Sequence, residues 1–261
     1  MSSDGVAERQ ASSYEQHNEV QEEFGLKMIA RLELKQGMTV LDLGCGTGNL
    51  TKVLSERVGP EGRVVGVDPD NERLKIAREK YPASNIEYIE ADDKTFPEGP
   101  YDLVFVNAAM HWIRDKETLF ERVYKSLKTG GQFAFVTFDG NPKVNKVVKR
   151  IFEELVAPDF FQKLFHTKML CLNASEYETI ALSIRYTIVF TKTEEYYEQW
   201  KNLDDCIDDF FSELPSGAFD PEKFDKQKLQ EIKNEFGDGP VVCEEPDGIL
   251  FMILAKPGSR I

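Results

Sequence analysis

The chain has little of what would place it in a membrane, on a nucleic acid or around a metal. No apolar run approaches the roughly 20 residues of a bilayer span. The stretch Met1–Gln21 is polar, with no apolar signal segment, so the expectation is a soluble, cytoplasmic protein. Basic residues are in deficit: 32 Lys and Arg stand against 46 Asp and Glu, for a net charge of -14 and a pI near 4.8. Such a surface neither displaces counterions from phosphate nor adheres to anionic lipid, so nucleic-acid and membrane partners are disfavoured. Cysteine is sparse. Cys45, Cys171, Cys206 and Cys243 are scattered, without a C-x-x-C pair or a histidine at ligand spacing. They read as reduced thiols, buried or incidental, and no zinc site or disulfide frame is expected. The D-x-D-x-D-G…E pattern of a calcium loop is also missing, so Asp204-Asp205 and Asp208-Asp209 are expected on solvated helix faces. No internal repeat or low-complexity linker is present, and no metal is expected.

At 261 residues with 41% hydrophobic content, the chain can bury a full core. Its first half alternates strand and helix patterns: strands over Met38–Leu43, Arg63–Asp68, Ile86–Ile89, Tyr101–Val106 and Gln132–Phe138, with helices over Leu50–Val58, Asn71–Lys80 and Lys116–Leu127. Strands separated by helices imply right-handed βαβ units and a parallel sheet covered on both faces. Helical patterns follow over Asn141–Val156 and Pro158–His166. Strands are expected over Ser183–Thr191 and Gly248–Ala255, and acidic helices over Glu194–Asn202, Asp204–Leu214 and Pro221–Phe236. The fold class is α/β, with two late strands completing the sheet and the intervening helices forming a lid. The expected division is an N-terminal arm (1–24), a binding core (25–138) and a lid with the last strands (139–261).

Ligands of such sheets bind beyond the carboxyl ends of the strands, where Asp42, Asp68, Asp92 and Asn107 fall. Val40–Thr51 (VLDLGCGTGNLT) is a strand running through Gly44, Gly46 and Gly48 into a helix. Glycines there accept left-handed dihedrals and let a ligand lie against the backbone. The spacing is G-x-G-x-G, one residue short of the G-x-G-x-x-G that cradles a pyrophosphate. Asp42 at the strand end suits a cationic ligand. Asp68, about 20 residues on, is placed to hold ribose hydroxyls. Together they favour S-adenosylmethionine over a nicotinamide dinucleotide, with Asp42 near the ammonium or the loop amides and Asp92 near the adenine amino group.

The ordered set VLDLGCGTGNLT, VVGVD, IEADD, YDLVFVNAAMHW and LKTGGQFAFVTF resembles the class I S-adenosylmethionine-dependent methyltransferases over residues 10–138. The resemblance implies a Rossmann-like, seven-stranded, mostly parallel sheet whose last strand is antiparallel. It also implies a cofactor site including Tyr14, Asp42, Gly44, Cys45, Gly46, Asp68, Pro69, Asp92, Asp93 and Asn107. More narrowly, Tyr14, Asn18 and Gln21 resemble the leader helices of malonyl-carrier-protein and juvenile hormone acid O-methyltransferases. His111-Trp112 is similar to the H-W or Q-W pair of those families and of the trans-aconitate methyltransferases. All three methylate carboxylates, which implies an organic-acid acceptor oriented by Gln21 and Trp112. A carboxylate is an anion at neutral pH and needs no base, so catalysis would rest on positioning and desolvation. Arg114, Arg150 and His166 are candidate anion donors, and Phe160–Phe165 a candidate apolar cover.

Plainer readings stand beside these. His111 either packs at the site or acts as a base for an amine, phenol or hydroxyl acceptor. Trp112 is a substrate wall or a structural ring; Tyr14 and Gln21 line the site or sit on a surface arm; Trp200 and Phe160-Phe161 are core or pocket lining. Cys45 packs beneath the cofactor, since no paired base marks it as a nucleophile. A methyltransferase acting on N, S or hydroxyl, and a non-catalytic S-adenosylmethionine-binding module, are the rivals. Oligomeric state is not legible.

Overall fold

The computed structural model describes residues 3–143, 146–155, 170–214, 225–237 and 239–258. In chain order it contains α1 (Ser3–His17), α2 (Glu19–Ile29), β1 (Thr39–Leu43), α3 (Asn49–Val58), β2 (Arg63–Asp68), α4 (Asn71–Lys80), β3 (Ile86–Glu90) and β4 (Tyr101–Asn107). A single 3-10 turn, Met110–Trp112, then leads to α5 (Lys116–Ser126), β5 (Leu127–Phe138), α6 (Lys146–Leu155), α7 (Ala174–Ser183) and β6 (Thr187–Tyr196). The remainder is β7 (Gln199–Trp200), α8 (Leu203–Glu213), α9 (Lys226–Phe236), β8 (Val241–Val242) and β9 (Asp247–Ala255).

Seven strands form one sheet in the order β3-β2-β1-β4-β5-β9-β6. The pairings β2–β3, β1–β2, β1–β4 and β4–β5 are parallel; β9 runs antiparallel to both β5 and β6. The mostly parallel seven-stranded sheet with an antiparallel final strand is therefore present. Strand pleating sends alternate residues to opposite faces. On β4, Val104 and Val106 join the core beneath α5 and α7, whereas Leu103 and Phe105 join the core beneath α2 and α3. A third core lies apart from the sheet, where Ile151 and Phe152 of α6, Cys206, Ile207 and Phe211 of α8, and Ile232 of α9 pack together. The helices α6, α8 and α9 thus share an apolar interior of their own.

Several boundaries move, each for a packing reason. Glu194–Asn202, expected as a helix, is not helical: β6 continues to Tyr196, paired with β9 as far as Asp247, and β7 at Gln199–Trp200 pairs with β8. The neighbouring ladder overrides the helix preference of the glutamates. Ser183 closes α7 rather than opening a strand; α7 starts at a capping box in which Asn173 and Glu176 satisfy each other's backbone amides. β5 begins at Leu127, five residues early, because Leu127 already pairs with Tyr101. The expected helix Pro158–His166 lies outside the described residues. All four cysteines are buried free thiols. Among the described residues, no helix is long and apolar enough to cross a membrane, and no metal-binding cluster is found.

Candidate functional site

Sheet order reverses between β1 and β4, so the loops after these strands splay apart and open a crevice at their carboxyl ends. The glycine loop lines one side. Gly44, Gly46 and Gly48 adopt φ of 78°, 54° and 87°, a region other residues enter only with strain. A Cβ on Gly44 would lie 2.5 Å from the Cβ of Ala109, and one on Gly46 would lie 3.1 Å from the ring of Tyr14. The loop is held from β2: the Gly46 amide donates to Asp68 Oδ2 (2.9 Å) and the Asp70 amide to Asp68 Oδ1 (2.8 Å). Asp68 is buried, and desolvation raises its pKa against the lowering effect of Arg73.

The cofactor residues expected from sequence fall into two groups. Tyr14, Gly44, Asp68, Pro69, Asp92, Asp93 and Asn107 line a cavity of about 440 Å³, within the usual range for small-ligand sites. Asp42 and Cys45 do not. Asp42 is 2% exposed and turned beneath α3, where its Oδ2 accepts from the Thr51 hydroxyl at 2.6 Å. Burial pushes its pKa up to about 7. Its side-chain hydrogen bond is with Thr51 of α3, and it lines neither cavity. The Cys45 thiol is buried between the loop and β2, close to Gly66, and burial raises its pKa. Gly46 meets the site through its amide rather than as cavity wall. Asp92 Oδ1 accepts from the Lys94 amide (3.0 Å) and the Thr95 hydroxyl (2.6 Å), which hold its carboxyl below the usual range.

The N-terminal helices close over this crevice. Tyr14 of α1 donates its hydroxyl to Gln21 Oε1 (2.7 Å), Gln21 Nε2 donates to Glu213 Oε1 at the end of α8 (2.7 Å), and Asn107 Nδ2 donates to the Gln21 carbonyl (2.9 Å). Arg73 of α4 completes the ring. Its guanidinium lies 4.0 Å from the Tyr14 ring centroid, and Nη2 donates to the carbonyls of Ser212 (3.0 Å), Glu213 (3.4 Å) and Leu214 (3.2 Å). That cation caps the C-terminus of α8, where the helix dipole is negative. Arg73 and Glu213 were not singled out from the sequence. Each is one charge among many, and only the closure of α8 onto α4 brings them together.

Past Asn107 the chain turns through Ala108, a non-glycine residue at φ 50°, and enters the Met110–Trp112 turn. Lys116 is buried there and pins the turn: Nζ donates to the carbonyls of Met110 (2.6 Å), Ile113 and Leu170 (2.9 Å). Burial depresses its pKa to about 8. Burial, with Lys116 nearby, drives the pKa of His111 down to about 3. Burial thus favours the neutral imidazole. Among the described residues, its Nδ1 is buried without a hydrogen-bond partner, as is Oδ1 of Asn107. Trp112 lines the first cavity and packs against the lid core.

A second cavity, of about 540 Å³, adjoins the first, and Gln21, Asn107, Ala108, His111 and Glu213 line both. Its apolar walls include Phe24, Val136, Phe138, Tyr196 and Trp200. Its charged lining is Glu19, Glu198, Asp205, Asp209 and Glu213 against Lys201. Asp209, expected in solvent, turns inward and accepts from Trp200 Nε1 at 2.7 Å. Burial pushes Glu213 up to about 7, and burial with neighbouring carboxylates raises Glu198 well above its ordinary range. Of the candidate anion donors, Arg114 lines the first cavity. Arg150 is engaged with Glu154 and Glu235 (2.7 Å each) and lines neither chamber; His166 and Phe160–Phe165 lie outside the described residues.

Residues 40–131 match the family described as a methyltransferase domain. The chain is 44% identical over 108 residues to a trans-aconitate 2-methyltransferase of Azoarcus sp., covering 41% of this chain and 42% of that protein. The shared region is thus less than half the length of that relative. It is 31% identical over 196 residues to a ubiquinone/menaquinone biosynthesis C-methyltransferase of Hydrogenovibrio crunogenus, covering 69% of this chain and 74% of the relative. A solved S-adenosylmethionine-dependent methyltransferase from Mesorhizobium loti shares the fold at TM-score 0.55 and 19% identity, covering 88% of this chain and 95% of that one.

Proposed function

The chain belongs to the S-adenosylmethionine-dependent methyltransferases, and we propose that it methylates an amine nitrogen of a small molecule bound in the second chamber. The cofactor fits the first cavity on this chain's own features. A side chain on Gly44 or Gly46 would close the cradle, Asp68 carries ribose-competent oxygens, the orphaned Oδ1 of Asn107 calls for a donor, and a carboxylate-rich lining suits a cation. When bound, it supplies an electrophilic methyl group on a sulfonium and departs as a neutral thioether. Tyr14, Gly44, Asp68, Asp92, Asp93 and Asn107 would hold it. The rest of the work falls to positioning and exclusion of water under the lid.

The observation that carries the acceptor class is the lining of the second chamber: five carboxyl groups, of which burial shifts Glu198 and Glu213 toward the neutral form and leaves Glu19, Asp205 and Asp209, against one lysine among its described lining residues. A unit charge about 4 Å from one such carboxylate changes in energy by about 4 kcal/mol at an effective dielectric of 20. That favours an ammonium and opposes an organic acid. A second reading, O-methylation of a carboxylate, has its own support in the Gln21 amide, which donates to a carboxylate (Glu213) where the chambers meet, and in the name of the trans-aconitate relative. The test is transfer of labelled methyl from S-adenosylmethionine to matched primary amines, carboxylic acids and alcohols with the same apolar body. Labelling of amines is expected; labelling of the acids alone would replace this reading with the second.

A further inference from the structure

We propose that Glu213, at the throat joining the two chambers, is the proton acceptor that prepares a protonated amine for methylation. The assignment rests on the amine reading above. Three observations converge on it. Glu213 lines both chambers, so its carboxyl faces the boundary that a methyl group must cross. Gln21 Nε2 holds Oε1 at 2.7 Å, which fixes the carboxyl while leaving Oε2 for a ligand. At the same throat, His111 Nδ1 is buried without a hydrogen-bond partner among the described residues, and His111 is only 7% exposed. A buried polar atom left unpaired is costly, and with the imidazole proton on Nε2 an N–H of the ligand would satisfy Nδ1.

The groups facing Glu213 set its acidity. Tyr14 comes from α1, Arg73 from α4 and Asp209 from its own helix, with Glu198 before β7 and Asp247 at the start of β9. Burial and the like charges of Asp209 and Asp247 raise the carboxyl, Gln21 and Arg73 oppose them, and the balance is about 7. A base poised near the working pH is the favourable case for proton transfer. The step balances. The ammonium N–H bond breaks, its electron pair stays on nitrogen as the attacking lone pair, and the proton forms an O–H bond on Glu213, to be released later to solvent.

Calorimetric titration of primary alkylamines, without cofactor and in buffers of differing ionisation enthalpy, reads the proton linkage directly. Because burial and neighbouring carboxylates raise Glu213, capture of an ammonium should release protons near neutral pH, a release that fades toward pH 9. E213Q abolishes this release and E198Q retains most of it. In turnover, wild-type kcat/KM rises with pH through the neutral range, whereas E213Q loses that inflection and about 100-fold or more in kcat. E213Q should still bind S-adenosylhomocysteine, showing that it is folded. Amine methylation with an unchanged pH profile in E213Q would overturn the Glu213 assignment and leave the amine reading intact. Amines that neither bind nor accept methyl, beside acids that do, would overturn the amine reading and this assignment with it.

Discussion

Asp42 offers the sharpest separation of scaffold from ligand chemistry. Its carboxyl is enclosed, bonded to the Thr51 hydroxyl and raised from 3.8 to about 7 by burial. A folded-state pKa above the unfolded value means that the neutral form is favoured on folding. The contribution to stability is complete below about pH 4 and is lost as pH rises through 7. The rise spans about three decades of proton affinity, and at about 1.4 kcal/mol per decade the loss comes to about 4 kcal/mol. D42N removes the titration and keeps an oxygen for Thr51, but its amide buries N–H groups worth about 1–2 kcal/mol when unpaired. D42N should therefore be more stable than wild type by about 2–3 kcal/mol at pH 8.5, or about 5–10 °C in Tm for a chain of this size. The advantage should vanish near pH 5. Thermal denaturation across that range, with titration of S-adenosylhomocysteine, tests both halves, since Asp42 lines neither chamber and affinity should stay within about twofold. Parallel pH–stability curves together with a tenfold loss of affinity would show that Asp42 faces the ligand and that the argument is wrong.

Other substitutions divide along the same line. D68N should weaken S-adenosylhomocysteine at least tenfold by calorimetry, because it perturbs both the loop clamp on Gly46 and the oxygens available to a ribose. G44A should destabilise by about 2 kcal/mol in denaturant titration, from the left-handed φ and the 2.5 Å approach to Ala109. R73K keeps the charge but not the fork that spans three carbonyls; a loss of about 1–2 kcal/mol and weaker cofactor binding are expected, and wild-type stability would deny the cap its role. H111F should leave the pH dependence of turnover between 6 and 9 unmoved, because the imidazole, with a pKa near 3, does not titrate there.

The parallel core was legible from local pattern alone. Arg63–Asp68 and Asn71–Lys80 coincide with their observed ends, since an apolar strand and an Asp70-capped helix are specified within a few residues of chain. The late half was not. Glu194–Tyr196 has helix-forming composition but a vacant sheet edge beside β9, and pairing decided its state. The glycine loop and Asp68 were likewise readable, because positive φ and a strand-end carboxylate leave marks in sequence. The orientation of Asp42 was not, because a strand-end aspartate can turn toward the crevice or under the following helix with the same local sequence.

What the residues settle on their own is whatever is decided within one turn or strand: the left-handed glycine loop after β1, the βαβ order, the excess of acidic over basic residues. What required the folded chain is the throat. Tyr14, Gln21, Arg73, Asn107 and Glu213 come from five separate segments, and their partners lie up to 192 positions apart. Electrostatic environment is a property of distance and burial, so the acidic second chamber, the neutral His111 and the raised Glu213 exist only once α1, α4 and α8 have closed on the sheet.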